Sequence, residues 1–149
     1  MAASITVSEN ITLVTLHNIP ADISFITGVF AQIADMDVDV DMISLSPVQS
    51  SKTSLSFTIV DDDLAKILSY TSKLGDSAVK PIVSSGNCKI SVNDAGMEHC
   101  PGVAAKVFGR VAAAEADIRL ITTSEAQISI LVAKSDLDKA FALLSEAQL

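Results

Sequence analysis

The chain has 149 residues, 49% hydrophobic and 19% charged, enough apolar material for one large or two small packed domains and too ordered a composition for a disordered segment. Eighteen acids against ten bases give a net charge of −8, which excludes nucleic-acid wrapping and attraction to an anionic membrane, since both need clustered cations. The charge is uneven: residues 1–76 carry 10 acids and 3 bases, net −7, and residues 77–149 carry 8 and 7, net −1, so the first half attracts a cationic ligand more strongly.

The N-terminal segment MAASITVSEN lacks the basic and apolar regions of a secretion signal. No apolar run reaches the roughly 18 residues of a membrane span. Two cysteines, Cys88 and Cys100, form no CxxC pair and suit reduced thiols. These features predict a cytoplasmic protein in which the Asn10-Ile11-Thr12 sequon stays bare.

In chain order, Ile11–Leu16 is a β-rich run. Ile23, Ile26, Phe30, Ile33 and Ala34 recur at helical spacing. Val38, Val40 and Met42 alternate with Asp37, Asp39 and Asp41, which predicts a strand. Leu55, Phe57 and Ile59 predict another. Leu64, Ile67, Leu68 and Leu74 mark a second helix, with Asp61, Asp62 and Asp63 at its positive end and Gly75 at its stop. Ala78–Ser84 closes the series as β-α-β-β-α-β, the split βαβ order of a ferredoxin-like unit.

The series then repeats. An offset of 78 residues superimposes Val29-Phe30 on Val107-Phe108, Asp39 on Asp117, Ile43 on Ile121 and Ser46 on Ser124. An offset of 73 superimposes Asp63-Leu64 on Asp136-Leu137 and Lys66 on Lys139. The change of offset places five extra residues in a first-half loop over Pro47–Thr53. The second half predicts strands at Lys89–Val92, Ile118–Thr122 and Gln127–Ala133 and helices over Val103–Ala114 and Leu137–Leu144, with Pro101 in the first turn of the former. It lacks a closing strand. Ser4–Val7 supplies one, so the predicted fold is α+β with the first unit nested within the second and Gly86-Asn87 at the crossing point.

Several chemistries fail on spacing. The Asp37/Asp39/Asp41 row would need Gly and Glu where Met42 and Val48 stand to form a calcium loop. His17, Cys88, His99 and Cys100 do not have zinc spacing, and Cys100 beside His99 lacks an orienting third group for nucleophilic catalysis. No phosphate-binding glycine motif occurs. Phe30, Phe57, Phe108 and Phe141 read as core, leaving no aromatic platform for RNA. No catalytic constellation, metal or cofactor is therefore expected. The two β-to-helix connections, His17–Ser24 and Asn93–Gly102, remain. Each offers helix-start N–H groups that suit a carboxylate, with Asp22 and Asp41 near the first as partners for an ammonium group.

At these positions Gly96–Val132, with its strings PGVAAKVF and ITTSE, resembles the second ACT domain of aspartokinases, as does the tail Leu137–Gln148. ITLVTLHNIP and VDVDMISLS resemble the first. The resemblance runs from about Ser4 to near the end. It implies two ferredoxin-like βαββαβ ACT units, residues 9–86 as the first and residues 1–8 with 87–149 as the second, without the kinase catalytic domain. It also implies an allosteric module that binds lysine or threonine at ACT interfaces, works as a homodimer and regulates an aspartate kinase catalytic domain or subunit. The alternative is a ligand-free dimerisation module. Carried over residue by residue, the effector positions are Asn18, Asp22, Ile23, Ser24, Phe25, Val40, Asp41 and Met42 in the first unit. In the second they are Asn93, Met97, His99, Gly102, Val103 and Ile118, with Thr122–Glu125 as a coupling strand. Pro20-Ala21-Asp22-Ile23 departs from the Pro-Gly that the family places before the helix, where glycine lets backbone approach a ligand closely.

Overall fold

Apolar residues at helical and alternating spacing organise a chain whose computed structural model describes residues 4–74 and 80–145. The strands are β1 (Ser4–Pro20), β2 (Ile43–Leu45), β3 (Lys52–Val60), β4 (Pro81–Asn93), β5 (Ile118–Thr123) and β6 (Gln127–Ala133). The helices among the described residues are α1 (Ile23–Asp35), α2 (Leu64–Ser72), α3 (Val103–Ala113) and α4 (Leu137–Ser145). The fold is α+β. One compact unit comprises residues 11–85, and the other joins 4–10 to 86–145.

In the unit of residues 11–85, β1 pairs antiparallel with β3, from Ile11 opposite Val60 to Pro20 opposite Lys52. β2 pairs antiparallel with the other edge of β3, from Ile43 opposite Phe57 to Leu45 opposite Leu55. Thr12 Oγ1 lies 2.9 Å from Ser85 Oγ, which brings the leading segment of β4 beside β1. Val14, Leu16, Leu55, Phe57 and Ile59 point to one side and meet Val29, Ile33 and Ile67 from the helices. Each such buried aliphatic contributes roughly 1.5–3 kcal/mol from removal of apolar surface from water. Phe57 packs edge-on to Phe30, with ring centroids 6.0 Å apart.

The other unit repeats this plan. β4 pairs with β6 from Asn87 opposite Ala133 to Asn93 opposite Gln127, and β5 pairs with β6 from Ile118 opposite Val132 to Thr123 opposite Ile128. Its core holds Cys88, Ile90, Val92, Val107, Val111, Ile128, Ile130 and Leu144, and Ile5 packs against it. The matched residues of the two halves also do matched work. Lys66 Nζ lies 3.6 Å from Asp63 Oδ1, and Lys139 Nζ lies 3.1 Å from Asp136 Oδ1, both pairs closing the first turn of a helix.

Several expectations change. Val38–Met42 is not a strand, and β2 begins only at Ile43. Asp41 N–H donates to Thr58 O, and Thr58 N–H donates to Met42 O, but no longer ladder forms. The period-two burial survives, with Val38 and Met42 buried and Asp39 and Asp41 exposed. The runs expected as separate short strands are segments of two long ones, β1 and β4. Asn10 at φ +60 and Gly86 at φ +72 sit where each crosses from one unit to the other. Pro101 precedes α3 instead of entering it, because Gly102 is the N-cap. Ile23 opens α1 but is 72% exposed, and Phe141 is 40% exposed, so the core stripes are narrower than the periodicity suggests. The expected stop at Gly75 and the start of the strand at Ala78 lie outside the described residues.

Candidate effector site

The first β-to-helix connection leaves β1 through a break in register between Leu16 and Ile19, where Asn18 takes φ +55. It enters α1 at Asp22, whose Oδ1 accepts the Ser24 N–H at 2.9 Å. A carboxylate in this position satisfies an orphan helix-start donor and the helix dipole together. Asp22, expected to face an ammonium group, thus stands where a ligand carboxylate was expected, on an amide of the Ile23–Phe25 group. Ile23 and Ser24 are exposed, whereas Phe25 packs partly into the core.

Asp41, Val40 and Met42 do not join this loop. Asp41 bonds to Thr58, and Thr58 stands opposite Leu13, whereas the loop leaves near Ile19, opposite Thr53. The five residues from Thr53 to Thr58 span about 17 Å at strand rise. Within one unit, Asp41 and the Asn18–Phe25 loop therefore lie at opposite ends of the sheet. Met42 is buried, and Val40 packs against the core, so their side chains serve folding.

The second connection runs from Asn93 to Gly102. Asn93 Oδ1 accepts from Gln127 Nε2 at 2.6 Å, which fixes the end of β4. Asp94 Oδ1 accepts the Gly96 N–H at 2.9 Å and caps a single 3₁₀ turn, Ala95–Met97. Met97 is anchored in the core. His99, at φ +60, points outward with Nε2 3.3 Å from Glu98 Oε1. Gly102 then caps α3 in the left-handed region at φ +92, and no side chain takes its first-turn amides. The segment just before this helix start borders a concavity of about 500 Å³ lined by Met97, Glu98, His99, Cys100, Pro101 and Glu125. Val103 begins the helix and is half-buried. Ile118 is placed elsewhere. It pairs with Val132, which stands opposite Cys88, five residues back from Asn93, and it packs into the core.

Sequence reading missed Glu98 and Cys100 as lining residues and placed Glu125 in a coupling strand. β5 ends at Thr123, and Ser124–Ala126 is a tight connection to β6 that turns Glu125 into the basin. The match of Ser46 with Ser124, each at the end of its unit's second strand, was the available signal. Cys100 is exposed and Cys88 is buried. Among the described residues, no group of three or more His, Cys, Asp or Glu is placed to hold a metal ion. No helix there is long and apolar enough to cross a membrane.

Two glutamates, Glu98 and Glu125, line this basin, and Pro101 at its edge leads through Gly102 into the uncapped start of α3. Comparison with known proteins finds matches over most of the chain. The ACT domain family matches residues 90–148. The aspartokinase of Mycolicibacterium smegmatis is 34% identical over 143 residues, covering 92% of this chain and 33% of that protein. The ligand-free regulatory subunit of aspartate kinase from Thermus thermophilus superposes with a TM-score of 0.88 at 26% identity, covering 99% of both chains. The aspartate kinase of Synechocystis superposes with a TM-score of 0.90 at 30% identity, over 97% of this chain and 26% of that one. The chain spans about a third of the length of the curated relatives it matches. Residues 90–148 thus match the ACT domain family, and the chain as a whole is similar to about a third of the aspartokinases and, over nearly its full length, to a regulatory subunit of aspartate kinase.

Proposed function

We propose that the protein is an amino-acid sensor that regulates an aspartate kinase catalytic domain or subunit, and that lysine or threonine is its effector. The observation that carries this reading is the open start of α3: Gly102 at φ +92, no capping side chain, and an adjoining basin with Glu98 and Glu125. The α-carboxylate of the effector accepts from the Val103 and Ala104 amides, and a glutamate takes its ammonium group. Two carboxylates in one basin favour lysine, which brings two ammonium groups. The chain acts as a homodimer, and an effector that touches both the Asn18–Phe25 loop and Asp41 would have to lie between two copies.

One observation favours the rival, a purely structural module, for the first unit. Asp22 already occupies the Ser24 amide, so a ligand carboxylate there has to displace it. Titration calorimetry with lysine and threonine separates the readings. Binding should weaken in Glu125→Gln by about 1.5–3 kcal/mol, or roughly 10- to 150-fold, the scale of a hydrogen bond to a charged group. Asp41→Ala should leave a second-unit site unchanged. The opposite pattern would move the site to the first unit. No heat and no stabilisation with either amino acid at millimolar concentration would leave the dimerisation module standing.

A further inference from the structure

The five residues that lengthen the first unit's β2–β3 connection build a second basin. Gln49 and Lys52 exchange backbone hydrogen bonds of 2.8 and 2.9 Å, closing a turn in which Ser50 and Ser51 take φ +50 and +64. Both central residues in the left-handed region define the tight turn that matches strand twist. Ser51 O accepts the Ala21 N–H at 2.9 Å, which ties the turn to the loop before α1. Thr53 Oγ1 donates to Ser46 O at 2.6 Å and holds the other side. The result is a concavity of about 550 Å³ whose lining includes Asn18, Ser46, Gln49, Ser50, Lys52 and Ser54.

Its charge is opposite to that of its surroundings. Residues 11–85 carry nine acids and four lysines, yet Lys52 is the one charged residue in the lining. Lys66 is committed to Asp63 and to Met36 O, whereas the Lys52 ammonium has no acidic partner among the described residues. The side-chain amides of Asn18 and Gln49 and the Ser50 hydroxyl stand beside it as further donors. At the corresponding place in the second unit, the shorter connection leaves a basin of about 510 Å³ lined by Asn93, Asp94, Ser124 and Gln127 among others. That basin has an acid and no cation.

We propose that the hairpin basin of the first unit binds a small oxyanion, a phosphate or carboxylate group, with Lys52 as its counter-charge. The anion accepts from the ammonium and from the neighbouring amide and hydroxyl donors, the charge-assisted pattern that gives such sites their strength. Since the site is open to solvent, screening holds its affinity to the millimolar range. The Ala21–Ser51 bond makes occupancy restrain the loop that enters α1. This proposal is independent of the effector reading.

The test is an amide NMR titration of the full chain with inorganic phosphate and, separately, acetate, at ionic strength held constant with sodium chloride. Saturable shifts should centre on residue 18 and residues 46–54, and Lys52→Gln should weaken the binding by about tenfold or more. Saturation by phosphate alone, by acetate alone or by both identifies the group recognised. No saturable shift with either anion up to about 20 mM would overturn the proposal. So would shifts that follow every lysine alike, or an affinity unchanged in Lys52→Gln. The spectrum of the variant itself reports whether the fold is intact.

Discussion

Two glycines of α3 should respond to the same substitution with opposite signs. Gly102 caps the helix at φ +92, and a Cβ built there meets nothing within 4 Å. Gly102→Ala therefore carries backbone strain without a steric clash, and an L-residue held in the left-handed region costs about 1–2 kcal/mol. Gly109 lies inside the helix, is exposed, and also offers a Cβ open space. Gly109→Ala should gain about 0.5–1 kcal/mol, because alanine loses less conformational entropy in a helix interior. The two variants should differ by about 1.5–3 kcal/mol, the sum of these effects. Urea denaturation monitored by circular dichroism reads this directly, as midpoints that move apart at unchanged slope. A Gly102→Ala midpoint equal to wild type would show that Gly102 is not held left-handed in solution. Movement of both midpoints in one direction would refute the backbone argument as a whole.

Three further predictions follow from named contacts. Asp22→Ala should destabilise by about 1 kcal/mol through loss of the α1 cap, measured by the same denaturation, and Asp22→Ser should recover most of it. Phe57→Ala should cost about 3–5 kcal/mol, the range for a buried aromatic that leaves a cavity, since Phe57 is fully buried against Phe30; a smaller loss would mean that the site collapses around it. The Asp136 carboxyl is held below its ordinary range by the Asp117 N–H, which donates to Oδ2 at 2.9 Å, and by Lys139 beside it. A depressed carboxyl stabilises the fold above its unfolded value near about 3.9, and that contribution fades as pH falls through the lower folded value. Asp136→Asn should therefore lower stability at neutral pH and flatten the acid limb of a stability–pH profile below about pH 4; an unchanged acid limb would refute the assignment.

Residue spacing made much of this fold legible. The 3.6-residue stripes located all four described helices, and alternation in Leu55, Phe57 and Ile59 located β3. The Asp63/Lys66 and Asp136/Lys139 match across the offset corresponds to two equivalent ion pairs. Alternation failed at Val38–Met42 because burial on alternate sides needs only an extended chain, whereas a strand also needs a partner along its length. Joining of short runs into β1 and β4 was not legible, because the runs read as separate strands on either side of Asn10 and of Gly86, residues that take positive φ inside the continuous strands. The connections were legible as places where a helix start meets a strand end. The placement of Asp41 and Ile118 was not, because which end of a sheet a residue occupies depends on pairing register. That register came from Thr58 and Val132, far away in sequence. The self-cap by Asp22 was equally hidden, since an acid before a helix reads the same whether it caps the helix or faces a ligand.

The contrast between the two cysteines turns the protein into its own reporter. Cys88 is fully enclosed in the core of its unit, whereas Cys100 stands exposed on the rim of the basin before α3. Thiol-selective reagents reach exposed sulfur and leave enclosed sulfur unmodified under native conditions. A single maleimide dye or spin label can therefore be attached to the unmutated chain, two residues from Gly102. Its emission or mobility would register events at that helix start, while the appearance of a second reactive thiol would mark unfolding of the core around Cys88.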